Sequence, residues 1–299
     1  MVVEQLIDKI HLGDCRTLLP QISADSVHLC LSDIPYGIGL DQWDILHRNK
    51  NSAYLGRSPA QVGKNGFKRR GKPIRGWSEA DRQIVFEYEA WCHEWATKLY
   101  PVMVAGASVL IFGARRTIHR AIVALERAGF MLRDMLIWKK PSAHHRSQSL
   151  SKVLDRRGES DESNKWQGWR LGNLAPIYEP IAWLFKPYRR TITDNVLVNQ
   201  VGAMNVAACL DNGKSPTNIL EMGFEPGEAR LHEAQKPTNI MTFLIKLTTR
   251  PGQVVLDPFI GSGTTAIACH RLNRRFIGFE KDPHYHEIAC QRYSEAIGG

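Results

Sequence analysis

Two short stretches of this 299-residue chain put reactive side chains where a strand would end. The first is Ser32-Asp33-Ile34-Pro35-Tyr36-Gly37, after the apolar run Ser26-Val-His-Leu-Cys-Leu31. The second is Asp257-Pro258-Phe259-Ile260-Gly261-Ser262-Gly263-Thr264-Thr265, after Gln253-Val-Val-Leu256. An exocyclic amine on a nucleobase is a poor nucleophile, because its lone pair is delocalised into the ring. A carboxylate such as Asp33 and a carbonyl such as that of Ile34 could accept both of its N–H groups. That favours a more tetrahedral nitrogen with its lone pair free to attack, through positioning and electrostatics. Tyr36 adds a flat face on which a base swung out of a duplex could stack. An ordinary strand-end turn with Asp and Pro is the plain alternative for this tetrapeptide alone.

The glycine turn speaks to a cofactor. Gly261 and Gly263 have no Cβ, so a ligand can approach the backbone closely. No lysine follows at the GxxxxGK[ST] spacing, which excludes a phosphate-binding P-loop. The next strand ends in Glu280, about twenty residues on, where a carboxylate can accept hydrogen bonds from ribose hydroxyls. The pair indicates an adenosine-containing cofactor and would serve a nicotinamide enzyme equally. Such a dehydrogenase would need a Gly-rich turn in an N-terminal βαβ unit, which residues 1–40 do not supply. Asp33–Tyr36 separates the two readings in favour of amine chemistry.

These groups need a sheet edge to hold them. Strands are expected at 26–31, Ala107–Phe112, Met131–Trp138, Ile181–Phe185, Gln253–Asp257 and Phe276–Glu280. Ile118, Ala121, Ile122 and Leu125 follow helical spacing, with Gly129 placed to end the helix. A second helix should run from the glycine turn to about Leu272, and Asp282-Pro283 should open the last one. Alternating strands and helices predict an α/β fold, a doubly wound, mostly parallel sheet. One domain over 1–299 is expected, interrupted at 46–80, 141–175 and 188–230, where Lys, Arg, Gly, Ser and Asn replace any apolar period.

Charge points the same way. The formal net charge is +9, and Arg48, Lys50, Arg57, Lys64, Lys68, Arg69, Arg70, Lys72 and Arg75 fall between Leu46 and Ser78 with no acidic residue among them. Such a segment suits a polyanion. Cys15, Cys30, Cys92, Cys209, Cys269 and Cys290 show no CxxC spacing, so neither a thiolate zinc site nor a disulfide framework is expected. His144-His145 and His284/His286 lack partners at metal spacing and read as surface residues. No apolar run of membrane-spanning length occurs and the N-terminus does not resemble a signal peptide, so a cytoplasmic protein is expected. No cysteine follows a proline, which removes the nucleophile needed to methylate a ring carbon.

At this point the chain resembles a family. Asp33–Tyr36 is similar to the Asp-Pro-Pro-Tyr motif of DNA amino-methyltransferases, and Asp257–Thr265 resembles their cofactor loop. His232-Glu-Ala-Gln235-Lys236-Pro237 looks like their His-Pro-Thr-Gln-Lys-Pro element. The catalytic motif precedes the cofactor loop, as in the permuted β-type members. The resemblance implies a Rossmann-like methyltransferase fold, S-adenosylmethionine as cofactor and double-stranded DNA as substrate. It implies that Asp33 and the Ile34 carbonyl hold the amine, with Pro35 in the motif and Tyr36 on the base. Phe259, Gly261, Gly263, Thr264 and Thr265, following Asp257, would surround the methionine end of the cofactor, and Glu280 the ribose. His232 and Lys236 match positions near the cofactor's carboxylate. Asp14-Cys15 match a position facing its adenine, with a turn cap as the other reading of Asp14. Where the family has its first proline this chain has Ile34, which keeps the carbonyl and loses the fixed φ angle.

Asp at the first motif position favours adenine N6; Ser there would favour cytosine N4. An RNA or protein-glutamine methyltransferase, or a catalytically silent DNA-binding protein, are the other readings. The basic residues Arg48, Lys50, Lys68, Arg69, Arg70, Lys72 and Arg75 are expected to contact DNA phosphates. Target recognition is expected in 141–175 and 188–230, where Trp166 and Trp169 are candidate DNA contacts. A homodimer and a cognate restriction enzyme are partners the resemblance allows; no metal is expected.

Overall fold

The structure, a computed structural model, describes residues 3–37, 79–142, 147–228 and 235–298. Helix α1 (Val3–Leu6), strand β1 (Lys9–Leu12), helix α2 (Cys15–Leu18) and strand β2 (Val27–Asp33) come first. Helix α3 (Glu79–Val102), strand β3 (Met103–Phe112), helix α4 (Ile118–Arg127) and strand β4 (Met131–Lys139) follow. Next are β5 (Gln148–Ser149), α5 (Leu150–Asp155), α6 (Ser160–Lys165), β6 (Arg170–Leu171) and β7 (Tyr178–Phe185). The chain closes with α7 (Ile192–Asn199), β8 (Ile219–Leu220), α8 (Thr238–Thr248), β9 (Val254–Asp257), α9 (Thr264–Arg271), β10 (Arg275–Glu280) and α10 (Pro283–Gly298).

One sheet has the order β1-β10-β9-β2-β3-β7-β4-β8. Only β7 runs against its neighbours, pairing antiparallel with both β3 and β4; the other pairs are parallel. Both faces are covered, which is why the central strands read as continuous apolar runs. Cys30, Val109 and Ile111 face a layer built with α3 and α4, while Leu29, Leu31 and Leu110 face α8 and α9. The α4 helix ends as expected: Gly129 takes φ +110°, and the amides of Gly129 and Phe130 satisfy the carbonyls of Glu126 and Leu125.

Four expectations need correction. The long helix α3 lies directly after the basic segment, where no element was anticipated. Its buried positions Ile84, Tyr88, Cys92, Trp95, Leu99 and Val102 recur at helical spacing, so the signal was present. The segment 141–175 is partly ordered into its own small unit. There β5 pairs antiparallel with β6 and the Ser163 hydroxyl donates to the Ser151 carbonyl at 3.2 Å. Because β4 ends and β7 begins at the same sheet edge as Asp33, this unit is connected to the sheet at that edge, with Trp166 and Trp169 exposed and edge-to-face at 5.2 Å. The segment 188–230 likewise contains α7 and β8. His286, read as a surface residue, is partly buried with a ring nitrogen 3.0 Å from the Ile10 carbonyl. No helix among the described residues is long and apolar enough to cross a membrane.

The turn after Asp33 is tightly specified. Gly37 has φ +66°, and a Cβ there would stand 2.2 Å from Cδ2 of Tyr88. The buried Tyr88 in turn donates its hydroxyl to the Pro35 carbonyl at 2.9 Å. Gly37→Ala should cost about 2–4 kcal/mol through left-handed strain and overpacking, and should slow catalysis by moving Tyr88 off Pro35. Denaturant unfolding and steady-state rates check this; a variant as stable and active as the parent would refute it.

Candidate active site

Four neighbouring strands, β1, β10, β9 and β2, end at one sheet edge. Their ends bring Asp14, Glu280, Asp257 and Asp33 together from opposite ends of the chain, as expected at the carboxyl edge of a doubly wound sheet. They line a cleft of about 1020 Å³, open mouth included. Of the residues singled out in the sequence, Asp14, Cys15, Asp33, Pro35, Lys236, Asp257, Phe259, Gly261, Thr264, Thr265 and Glu280 lie on its wall. Ile34 and Tyr36 are buried beside it. Gly263, at φ +84°, backs onto α10, where a Cβ would come within 3.1 Å of the Ala289 carbonyl. His232, Arg48, Lys50, Lys68, Arg69, Arg70, Lys72, Arg75, His144 and His145 lie outside the described residues.

The cleft suits an adenosyl cofactor. Gly261 takes φ +53°, and a Cβ there would meet nothing nearer than 4.0 Å, so the missing side chain leaves ligand space. The Gly261 amide donates to Glu280 Oε2 at 3.0 Å and the Asp282 amide to Oε1 at 2.8 Å. A carboxylate so held keeps further acceptor sites for ribose hydroxyls. Burial raises Glu280 above the usual carboxylate range, against the pull of the Asp282 and Gly261 amides. Trp91 of α3 contributes an aromatic wall, packed on Phe259 with centroids 5.4 Å apart. Asp14 takes the cap role: its Oδ1 accepts the Arg16 amide at 2.8 Å to cap α2, and Oδ2 holds the Arg16 guanidinium at 2.8 Å.

Asp257 lines the cleft, yet both its oxygens are engaged within the protein. Oδ1 accepts from the Ser32 hydroxyl at 2.5 Å and the Phe259 amide at 3.1 Å; Oδ2 accepts from the Thr265 hydroxyl at 2.5 Å. Strand β2, strand β9, the glycine turn and α9 are thereby tied to one carboxyl group. Burial pushes that group up to about 7, opposed by the two hydroxyls and the amide.

The strongest electrostatic feature surrounds Asp33. Its Oδ2 meets the Lys236 ammonium at 2.5 Å, while its buried Oδ1 has no hydrogen-bond partner among the described residues. The same ammonium lies 3.3 Å from Glu179 Oε2 and donates to the Tyr36 hydroxyl at 3.1 Å. Tyr36 donates to Glu179 Oε2 at 3.2 Å, and Lys140 pairs with Glu179 Oε1. Burial raises Asp33 to about 6, with Glu179 adding to the rise and Lys236 opposing it. Burial also acts on Glu179, but Lys236 and Lys140 outweigh it and hold that group at about 2. Lys236, expected beside the cofactor's carboxylate, lines the cleft with its ammonium committed to Asp33 and Glu179. Sequence reading missed Glu179, Lys140 and Trp91: the first two are common residues at strand ends, the third lies in the unanticipated α3, and only folding brings them to the edge.

The sequence model of the DNA methylase family matches residues 27–291. The chain is 45% identical over 294 residues to the Type II methyltransferase M.HindIII of Haemophilus influenzae, covering 96% of this chain and 95% of that one. It is 22% identical over 301 residues to the Type II methyltransferase M.HinfI of Haemophilus influenzae, covering 98% and 70% respectively. Among solved structures, the PvuII DNA methyltransferase (cytosine-N4-specific) superposes with a TM-score of 0.62 at 16% identity, over 97% of this chain and 90% of that one. The M1.HpyAVI–SAM complex superposes with a TM-score of 0.56 at 20% identity over the whole of both chains. Those structural likenesses carry the fold: a Rossmann-like sheet of the S-adenosylmethionine-dependent methyltransferase type.

Asp257 offers a direct test of how this edge is held. Asp257→Ala strands the Ser32 and Thr265 hydroxyls and the Phe259 amide, which should cost about 2–4 kcal/mol and weaken S-adenosylmethionine binding. Urea unfolding and calorimetric titration read the two effects. Unchanged stability and affinity would remove Asp257 from this role.

Proposed function

We propose, for a chain that belongs to the DNA methylase family and uses S-adenosylmethionine, that the methyl group goes to N6 of an adenine swung out of double-stranded DNA. The observation that carries the proposal is the buried Oδ1 of Asp33, which has no hydrogen-bond partner among the described residues, in a residue that lines the cofactor cleft. An unsatisfied buried acceptor is costly, and a donor on the substrate relieves that cost. The target amine is such a donor.

When bound, S-adenosylmethionine supplies an electrophilic methyl group. Asp33 Oδ1 and the Ile34 carbonyl accept the two amine N–H bonds and turn the nitrogen lone pair toward the cofactor side of the cleft. Asp33 Oδ1, hydrogen-bonded to the amine, is placed to take the proton that the nitrogen must lose once it carries the methyl group. Base flipping costs a few kcal/mol of unstacking, offset by contacts in the pocket. Tyr36 remains the proposed stacking partner; in this structure its ring is buried, and its hydroxyl is held by Lys236 and Glu179.

Adenine is favoured over cytosine by the fate of Ser32. Its hydroxyl is fully buried and committed to Asp257, which leaves Asp33 as the motif's acceptor toward a base. Asp rather than Ser in that place goes with adenine in the family's motif.

Two experiments test this reading. Nucleosides from DNA incubated with the protein and methyl-labelled S-adenosylmethionine should contain labelled N6-methyladenine, and Asp33→Ala should abolish it. Labelled N4-methylcytosine would keep the mechanism and change the base. No label despite measured cofactor binding would refute DNA methylation. The basic segment 46–80, of which 46–78 lie outside the described residues, is the proposed phosphate clamp. Replacing Lys68, Arg69 and Arg70 by alanine should lower the slope of log affinity against log salt by about 2–3, at roughly 0.9 per lost phosphate contact. An unchanged slope would exclude those three residues.

A further inference from the structure

We infer that Lys236 and Glu179 are positioning residues for Asp33: Lys236 fixes which of its oxygens meets the substrate amine and favours its carboxylate form, and Glu179 holds Lys236 in place. The inference rests on the reading of Asp33 as the acceptor of that amine.

The geometry assigns each group a part. An ammonium has three protons and no acceptor. Lys236 donates to Asp33 Oδ2 at 2.5 Å and to the Tyr36 hydroxyl at 3.1 Å, and pairs with Glu179 Oε2 at 3.3 Å, which tethers Nζ from several sides. The rings of Phe112, Tyr36 and Trp138 complete its surroundings, with centroids 5.4, 5.6 and 6.0 Å away. Lys236 is only 3% exposed, so it is not free to swing out and release Asp33. Holding Oδ2 this way leaves Oδ1 as the oxygen open to a new donor.

Glu179 acts one step further out. It stands in β7, opposite Trp138 of β4, and holds the Lys236 ammonium at 3.3 Å. Lys140, just beyond β4, closes the other oxygen of Glu179. The charged groups around Asp33 are Lys236 from the segment before α8, Glu179 from β7 and Asp257 from β9, with Lys140 acting through Glu179. Among Lys236, Lys140, Asp33 and Glu179 the charges cancel, which lets the cluster sit in a dry edge of the sheet. Burial and Glu179 together raise Asp33 toward neutrality, and Lys236 opposes them. The two positioning residues therefore push the proton affinity of Asp33 in opposite directions.

That opposition gives a test no merely structural role would mimic. Asp33 must be ionised to accept the amine, so the single-turnover rate should fall at acid pH as Asp33 takes up a proton. Lys236→Met removes a neighbouring positive charge and makes protonation easier, so the acid limb should move to higher pH. Glu179→Gln removes a negative charge and makes protonation harder, so the limb should move to lower pH. Charge neighbours at this range shift such a limb by about 1 to 3 pH units. The double variant should return close to the parent profile. The assay is transfer of label from S-adenosylmethionine to unmethylated genomic DNA, with cofactor affinity measured separately for every variant. Opposed shifts with unchanged cofactor affinity establish the inference. Limbs that stay in place while both variants lose rate overturn it, and so does a Lys236→Met variant that loses only cofactor affinity. If Lys236→Met does not fold, the Glu179→Gln limb decides alone. Retained activity in Asp33→Ala would instead overturn the underlying reading of Asp33.

Discussion

A carboxylate placed out of water with one oxygen unsatisfied is costly, and much of this sheet edge is arranged around that cost. Asp33 sits at the end of β2, where the strand hands over to a turn, with its side chain 20% exposed. Its charge is met on one side by Lys236, which is itself too deeply buried to stand alone. Glu179 offsets Lys236, and Lys140 offsets Glu179. Each ion is stabilised only because the next is present, so the network stands or falls together. It draws on three separate stretches of the sheet: β2, the β4–β7 pair and the segment before α8. The unit from 147 to 171, with its exposed tryptophans, hangs from the β4 and β7 ends, the same ends that carry Lys140 and Glu179.

A second buried carboxyl group, Asp257, does comparable work without charge partners. It gathers two hydroxyls and an amide, and through them joins the end of β2 to the glycine turn. The Asp33–Tyr36 motif comes early in the chain and the glycine turn late, so nothing local keeps them in register. Adjacent placement of β9 and β2, clasped by Ser32 and Asp257, supplies that register. In a doubly wound sheet the order of segments along the chain matters less than which strand ends are neighbours.

Much of this could be read beforehand, for physical reasons. The strands ending at Asp33, Asp257 and Glu280 are buried on both faces and so leave continuous apolar runs. The glycine turn is legible because backbone close to a ligand excludes a Cβ. What stayed hidden depends on long-range pairing. Glu179 stands in Tyr178-Glu179-Pro180, a sequence with no chemical signature, and acquires a role only because β7 enters antiparallel beside β3. Lys236 was visible as a cation but not as the partner of Asp33, since the two lie in different segments and meet only through the sheet. Asp14 was readable in two ways, and it both caps α2 through the Arg16 amide and lines the cleft.

The departure at Ile34 shows how rigidity can be supplied by other means. Proline at that position would fix φ and would offer no N–H. Isoleucine leaves φ free, but its amide donates to the Phe112 carbonyl at 3.3 Å, a bond proline cannot make. The next two carbonyls are also held: Pro35 by the Tyr88 hydroxyl at 2.9 Å and Tyr36 by the Thr117 hydroxyl at 2.9 Å. Ile34 itself is 1% exposed and packs in the layer formed with α3 and α4, adding apolar burial to the same turn. Three hydrogen bonds from β3, α3 and the start of α4 thus take over the work of one ring. The Ile34 carbonyl is constrained from both sides, by its own amide and by the Pro35 peptide that follows. The role proposed for the motif calls for a fixed carbonyl next to a carboxylate, and the surrounding fold provides that fixity where the residue itself does not.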